Sequence, residues 1–291
     1  MSNDAMPDPQ ALRFSVLGPV RAWRGTAEVA LGSPQQRSTL AILLLHEGTT
    51  VTIEQLTTAL WGAEKPPAAV ATVRTYVSRL RRLLGSGARI RSTAGGYALS
   101  VPQSALDLTQ LRHHLALAAA STRAQDPSAV AEHLEAALAL HHGMPLAGAG
   151  GPYVENQRIR LEQMLCTVAL DLMSVEVSRG RHREVLPDLT AMVKEHPLRD
   201  RVHELYMTAL QHSGRQADAL AHYQQTRRRM VDELGVEPGA RLRELHRRIL
   251  EGTTTAGVAQ PHRHPARAAR LHQVRARRQA SRARYAVARD R

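Results

Sequence analysis

The sequence predicts a mainly α protein with a small N-terminal antiparallel sheet and a terminal hairpin, followed by an all-α domain. Three observations carry this prediction. Short runs of strand-forming residues, separated by turn residues, occupy positions 12–31. Three amphipathic helical patterns and a glycine-centred hairpin then extend to residue 102. From residue 106 to residue 250 the apolar residues recur only at helical spacing.

Three short strands are predicted first. The runs 14–17, 20–23 and 28–31 are rich in β-branched and aromatic residues, and Gly18-Pro19 and Arg24-Gly25 separate them. Because the runs are short and closely spaced, we expect a small antiparallel sheet.

Two helices follow this sheet. Ser33 is a favourable N-cap and Pro34 a favourable first residue for a helix that stops at Gly48. Thr52 is the predicted cap of the next helix. The apolar faces of the two helices are marked by Leu40, 42–45, Ile53, Leu56, Leu60 and Trp61.

A third helix and a hairpin complete the first domain. The helix covers 68–84 and directs four apolar residues toward a core, namely Val73, Val77, Leu80 and Leu84. Residues 90–101 alternate in polarity about Gly95-Gly96, as a hairpin does. Strands, three helices and a terminal hairpin in this order make up a winged helix-turn-helix, which we assign to residues 12–102.

The domain that follows, assigned to residues 106–250, is predicted to be tetratricopeptide-like. Gly180-Arg181 and Gly214-Arg215 lie 34 residues apart. Apolar residues follow them at matching offsets, Val185 with Ala219 and Leu189 with Tyr223. A helix-turn-helix period of this length is typical of tetratricopeptide repeats. Since only two units are evident, a non-repeating helical bundle is the alternative.

Charge limits the classes of partner. The chain has 39 Lys and Arg against 26 Asp and Glu, a formal charge of +13, which favours a polyanion such as nucleic acid. About ten arginines and one acid, Asp290, fall within 262–291. We therefore assign 252–291 to a basic tail that is expected to be disordered. The tail could add sequence-independent affinity for phosphates, or it could be an incidental extension.

The sequence predicts neither export nor a membrane span. The N-terminus lacks a basic segment followed by an apolar stretch, and the longest apolar run, 40–45, is too short to cross a bilayer. The single cysteine, Cys166, lies in an apolar helical run and is expected to be a small buried hydrophobe. We expect a cytoplasmic, nucleoid-associated protein.

The third helix carries the residues of the predicted site. Opposite and beside its apolar residues lie side chains suited to a DNA groove: Thr72, Arg74, Thr75, Tyr76, Ser78, Arg79, Arg81 and Arg82. Thr and Ser can contact base edges, and Arg can donate two parallel hydrogen bonds to guanine O6 and N7. The other arginines would neutralise phosphates and set the register. A solvated basic face on an ordinary amphipathic helix is the alternative interpretation.

Longer motifs resemble a known family. TVRTYVSRLRRLL at 72–84 and IRSTAGGYAL at 90–99 resemble the recognition helix and wing of OmpR-type winged helices. EHPLRD at 195–200, SGRQADALAHY at 213–223 and ELGVEPG at 233–239 resemble the bacterial transcriptional activator domain. Their order is similar to that of the SARP family, the Streptomyces antibiotic regulatory proteins, over residues 12–250.

The resemblance implies a transcriptional activator of a secondary-metabolite (antibiotic) gene cluster. Such a protein would bind tandem direct repeats near promoters and contact RNA polymerase holoenzyme. We further expect a homodimer on double-stranded DNA, with recognition helices about one DNA turn apart. No cofactor, membrane contact or enzyme activity is implied.

The family's roles carry over to particular residues. Thr75 and Arg79 match base-reading positions, and three residues match positions near phosphates, namely Tyr76, Arg81 and Arg82. In the wing, residues that match positions at the DNA backbone or minor groove are Arg91, Thr93 and Tyr97. Two features depart from the family: Arg74, where an acidic residue is usual, and the basic tail.

No catalytic or metal site is predicted. The sequence has no GxxxxGK[ST] loop, so the ATPase module of larger relatives is not expected, and neither is a receiver domain ahead of the first strand. The pairs His113-His114 and His141-His142 point in different directions on a helix and have no accompanying Cys or carboxylate cluster. Two alternative functions remain: a helical-repeat adaptor with a protein partner, or a repressor with the same DNA-binding fold.

Overall fold

The computed structural model describes residues 11–252. Within that range the chain forms two compact units, one of residues 11–116 and 136–165, the other of 117–135 and 166–252. The predicted basic tail, apart from Gly252, lies outside the described residues. In the described range, no helix combines the length and the apolar character that crossing a membrane requires.

The first unit opens with a three-stranded antiparallel sheet. Its strands are β1 (Leu12–Ser15), β2 (Arg21–Arg24) and β3 (Ala27–Glu28), paired in that order. The bounds predicted for the first and third strands, 14–17 and 28–31, were therefore wrong. Val16 and Leu17 are buried like strand residues, but their N–H groups bond to a carboxylate rather than to a neighbouring strand.

That carboxylate belongs to Asp107, which fixes the end of β1. It accepts hydrogen bonds from the backbone N–H groups of Val16, Leu17 and Leu108 at 2.8 to 3.0 Å. Burial raises the pKa of Asp107, and the backbone donors of Leu17 and Val16 act against that rise. Because Asp107 is the first residue of α4 (Asp107–Arg123), the start of that helix is part of the first unit.

The first unit also contains three helices that follow the first sheet in the chain. They are α1 (Pro34–Leu45), α2 (Ile53–Trp61) and α3 (Ala69–Leu84). Both predicted caps are confirmed. The Ser33 side chain accepts from the N–H of Gln36, and Thr52 forms a reciprocal capping box with Gln55. These caps fix where the chain enters α1 and α2.

The second sheet of this unit contains the predicted hairpin. Its strands are β4 (Thr50–Thr52), β5 (Arg89–Thr93) and β6 (Gly96–Ser100), in the antiparallel order β4-β6-β5. The hairpin turns at Ala94-Gly95, one residue earlier than predicted, because Gly96 already pairs with Thr93 and Thr52. The sequence did not predict β4, since so short a strand is defined only by its pairing with β6.

The second unit is helical. Its main helices are α7 (His182–Glu195), α8 (Asp200–His212), α9 (Gln216–Leu234) and α10 (Ala240–Leu250); α5 (Pro127–Ala139) and α6 (Pro152–Ser178) contribute residues to both units. Helix α8 packs against α7, α9 and α10. The residues predicted at matching repeat offsets are all buried, namely Val185, Leu189, Ala219 and Tyr223. This confirms an all-α domain built from helical hairpins.

Cys166 is buried in this unit, as predicted, but it also has polar partners. Its Sγ accepts a hydrogen bond from Arg199 Nη1 at 2.9 Å and lies 3.4 Å from His196 Nε2. The thiol therefore helps to fix Arg199 beside α6 as well as filling space.

Candidate nucleic-acid interface

Helix α3 has one buried and one exposed face. Its four predicted core residues are 0 to 1% exposed, namely Val73, Val77, Leu80 and Leu84. Of the predicted DNA-contacting residues on this helix, Thr72 and Tyr76 are half-buried, and the others are exposed: Arg74, Thr75, Ser78, Arg79, Arg81 and Arg82. Burial of the apolar stripe thus turns the predicted site toward solvent.

The exposed face is strongly positive. The sequence of α3 contains four arginines and no acidic residue. Within residues 11–252, Arg74, Arg79 and Arg82 take part in none of the ion pairs. Their charges are therefore not neutralised by a neighbouring carboxylate in this part of the chain, and they can attract phosphate groups.

The hydroxyl of Thr75 is partly engaged within the helix. Its Oγ1 donates to the carbonyl oxygen of Ala71 at 3.0 Å. The hydroxyl hydrogen is thereby occupied, while the oxygen lone pairs and the methyl group stay available on the exposed face. Thr75 can accept a hydrogen bond from a base amino group, or its methyl group can contact a thymine methyl.

The C-terminal end of α3 is held by a residue from the first sheet. Arg24 Nη2 donates to the carbonyl oxygens of Leu83 at 2.9 Å and Leu84 at 3.2 Å. These carbonyls have no partner within the helix, and a cation suits this end of the helix dipole. Arg24 therefore anchors the helix that carries the predicted site.

The hairpin places further polar residues beside α3. Arg91, Ser92 and Thr93 are exposed on β5 and in register with Ala98, Tyr97 and Gly96 of β6. Tyr97 differs from the other predicted wing residues because it is buried, with 9% of the residue exposed. Its ring faces the guanidinium of Arg81, 5.6 Å from the ring centre, rather than open solvent.

Arg81 connects the helix to the hairpin. Its Nε donates to the Ile90 carbonyl oxygen at 3.0 Å, and its Nη2 donates to Ser92 Oγ at 2.9 Å. The structure thus brings α3 and the hairpin together through a residue that was predicted to contact phosphate.

Sequence reasoning missed three residues of this region. Arg89 is exposed on β5, and the alternation of Arg89, Ile90 and Arg91 was a signal that could have found it. Ser92 and Arg24 gave no such signal, since their importance depends on contacts with α3 that exist only in the folded chain.

In residues 11–252, no group of three or more His, Cys, Asp or Glu side chains is placed to hold a metal ion.

Two family models match the chain. The bacterial transcriptional activator domain matches residues 106–250, and the C-terminal domain of transcriptional regulatory proteins matches 27–99. Transcriptional regulator RedD of Streptomyces coelicolor is 33% identical over 251 residues, which cover 82% of this chain and 70% of RedD. The chain belongs to the SARP family. The resemblance seen in the sequence is thereby confirmed, and this SARP protein is grouped with transcriptional regulators rather than with enzymes.

Other relatives of this SARP protein differ in length. Regulatory protein AfsR of Streptomyces griseus is 48% identical over 241 residues, 82% of this chain but only 24% of AfsR. The chain therefore spans about a quarter of AfsR's length. A solved structure, Mycobacterium tuberculosis EmbR in complex with a low affinity phosphopeptide, matches with a TM-score of 0.79 and 29% identity, covering 95% of this chain and 70% of EmbR. A winged helix followed by an all-α domain is thus a fold shared with EmbR.

Proposed function

We propose that this SARP protein is a sequence-specific DNA-binding transcriptional activator of a secondary-metabolite (antibiotic) gene cluster. It binds tandem direct repeats near promoters as a homodimer, contacts RNA polymerase holoenzyme and acts in the cytoplasm on nucleoid DNA. The observation that carries the proposal is the exposed face of α3, with arginines and hydroxyl side chains and no carboxylate. Family membership supports the regulatory role.

Within this proposal the residues have separate roles. Arg79 and Thr75 read base edges in the major groove, with Thr72, Arg74 and Ser78 beside them. Arg82 and Tyr76 contact phosphates, and Arg91 and Thr93 of the wing meet the DNA backbone or minor groove. Direct contacts between Arg and guanine give discrimination, whereas phosphate contacts give affinity and register.

A competition binding assay tests this proposal. Promoter fragments selected by the protein compete with random DNA at near-physiological salt. Arg79→Ala should lose about 1–3 kcal/mol of preference for the selected site, because a bidentate contact to guanine contributes that much to discrimination. Arg112→Ala, which removes an exposed arginine from α4, is the matched control and should keep the preference.

The outcomes separate the alternatives. Equal affinity for every sequence would contradict the proposal and favour an adaptor with a protein partner. A variant ending at Leu250 tests the basic tail: if it selects the same site with a shallower salt dependence, the tail adds only non-specific affinity. A reconstituted promoter with RNA polymerase then distinguishes activator from repressor, since only an activator increases transcript yield.

A further inference from the structure

Arg81 reaches from the recognition helix α3 to both strands of the hairpin. Its Nε bonds to the Ile90 carbonyl oxygen and its Nη2 to Ser92 Oγ, both on β5. The same guanidinium lies over the ring of Tyr97 on β6. One side chain of α3 therefore has three partners on the two strands of the hairpin.

We propose that Arg81 is a positioning residue that fixes the angle between the recognition helix and the wing. We call Arg81, Ser92 and Tyr97 the Arg81 latch. The inference rests on the proposed DNA binding for its functional consequence. It gives Arg81 and Tyr97 a different role from the phosphate and backbone contacts that the family motif suggested.

The chemistry of the latch requires arginine. A guanidinium is planar and presents its Nε and Nη donors in a fixed fork, so it can bond to a carbonyl and a hydroxyl while stacking on an aromatic ring. A lysine in this place would keep the charge but could not form this fork. The low exposure of Tyr97, 9%, agrees with a ring whose contacts are inside the protein.

The position of the latch explains why it should affect DNA binding. Within residues 11–252, strand β5 pairs with β6 alone and is an edge of its sheet. Strand β6 is also paired with β4, whereas the place of β5 depends on β6 and on what else packs against it. The exposed groups of α3 and those of β5 can meet DNA together only if this orientation is fixed. The latch supplies a directional attachment between them.

Charge-conserving variants distinguish a latch from a phosphate contact. The test compares wild type with Arg81→Lys, Ser92→Ala, Arg81→Gln and Arg82→Gln, each checked for folding by circular dichroism. Hydrogen exchange of the wing peptides 89–100 is measured in the free protein, with α1 as internal reference. Affinity for the selected DNA site is measured across a range of salt concentrations.

The latch predicts that Arg81→Lys and Ser92→Ala both accelerate exchange in the wing. Each should weaken binding to the selected site about three- to tenfold, the effect of losing one or two hydrogen bonds, without changing the slope of log affinity against log salt. Arg82→Gln should reduce that slope by about one and leave wing exchange unchanged.

The opposite pattern overturns the inference. If Arg81→Lys and Ser92→Ala exchange and bind like wild type, while Arg81→Gln reduces the salt slope by about one, Arg81 is a phosphate contact and the latch does not exist. If wild type shows no sequence preference, the proposed function fails instead. Wing exchange in the free protein then still decides whether the latch holds the hairpin.

Discussion

Individual arginines of the winged helix differ in what surrounds them. Arg24 and Arg81 donate to backbone carbonyls of the protein, and Arg81 also donates to Ser92. Arg79 and Arg82 are exposed on α3 and form no ion pair within residues 11–252. An arginine in this domain therefore cannot be predicted to contact DNA from its residue type alone, because some arginines hold α3 and the hairpin in place instead.

Asp107 offers a test of stability at a single residue. Asp107→Ala would leave the buried N–H groups of Val16, Leu17 and Leu108 without their acceptor. Each unpaired buried donor costs about 1–3 kcal/mol, so we expect a loss of at least about 3 kcal/mol in the free energy of unfolding. Urea denaturation followed by Trp fluorescence measures this loss, since Trp23 and Trp61 lie in the same unit.

Asp107→Asn is the matched control, because it keeps one acceptor oxygen at nearly the same volume. It should cost less than Asp107→Ala. Equal stability of Asp107→Ala and wild type would show that water replaces the carboxylate without penalty, contrary to the burial of this residue.

At the scale of elements, α3 and the wing are held in place in two different ways. Helix α3 is oriented by its apolar stripe, which any amphipathic helix of this pattern would bury. The wing depends instead on a close approach between the backbones of β6 and β4. Gly95 has φ +89°, and a Cβ at Gly96 would overlap the Val51 carbonyl oxygen and lie 2.7 Å from Thr52 Cα. The two adjacent glycines are thus needed for different reasons.

This difference makes a prediction for the wing. Gly96→Ala should destabilise the first unit by at least about 2 kcal/mol, since it forces β4 away from β6. Gly95→Ala should cost only about 1–2 kcal/mol, because its Cβ would meet open space and the strain comes from the left-handed backbone alone. Thermal unfolding of the two variants checks the order. A smaller loss for Gly96→Ala would contradict the backbone approach described for β4 and β6.

At the scale of the whole molecule, a pair of histidines connects two helices of the second unit, His203 on α8 and His222 on α9. His203 Nε2 donates to the Pro197 carbonyl oxygen at 2.9 Å, so its Nδ1 accepts from His222 Nε2, also at 2.9 Å. The Thr226 hydroxyl lies beside His203 Nδ1, and the Tyr206 ring packs edge-on against His222. The charges of Asp200 and Arg229 act on His203. Burial lowers the pKa of both rings, that of His222 to about 4. A proton added to His203 Nδ1 would remove the acceptor of the hydrogen bond from His222. A proton added to His222 would place a charge in a partly buried site.

The second unit should therefore lose stability in weak acid. The folded protein holds His222 neutral, and its folded pKa of about 4 lies below the ordinary value of 6.5. Between these two values the unfolded chain binds a proton at His222 that the folded chain does not bind. The free energy of unfolding therefore has its full value above pH 6.5 and decreases as the pH falls from 6.5 toward 4. Because the ring is partly exposed, we expect less than the limiting slope of about 1.4 kcal/mol per pH unit.

Urea midpoints by circular dichroism at pH 7.5 and 5.0 measure this effect. His222→Gln should show a smaller difference between the two pH values than wild type. The control His113→Gln changes an exposed histidine of α4 and should behave like wild type. An unchanged pH dependence in His222→Gln would show that the pair does not set acid stability.

The sequence by itself determined the order of the elements, apart from β4, and the face of α3 that is exposed to solvent. Apolar periodicity and the Ser33 and Thr52 caps are local properties of the chain, so they could be interpreted without coordinates. The 34-residue period likewise indicated the helical hairpins. Motif order indicated the family. These properties can be predicted from the sequence because they depend on residues that are close together in the chain.

Only the tertiary structure decided which polar side chains are exposed on α3 and the wing and which form bonds inside the protein. Arg24 donates a hydrogen bond to the Leu84 carbonyl oxygen, and Asp107 accepts one from the Val16 N–H. In both pairs the two residues are far apart in the sequence. β4 exists only through its pairing with β6. Tyr97 matches a family position at the DNA backbone or minor groove, yet it is buried beside the guanidinium of Arg81. Local pattern cannot reveal such contacts, because hydrogen-bond partners far apart in the chain are fixed by packing alone.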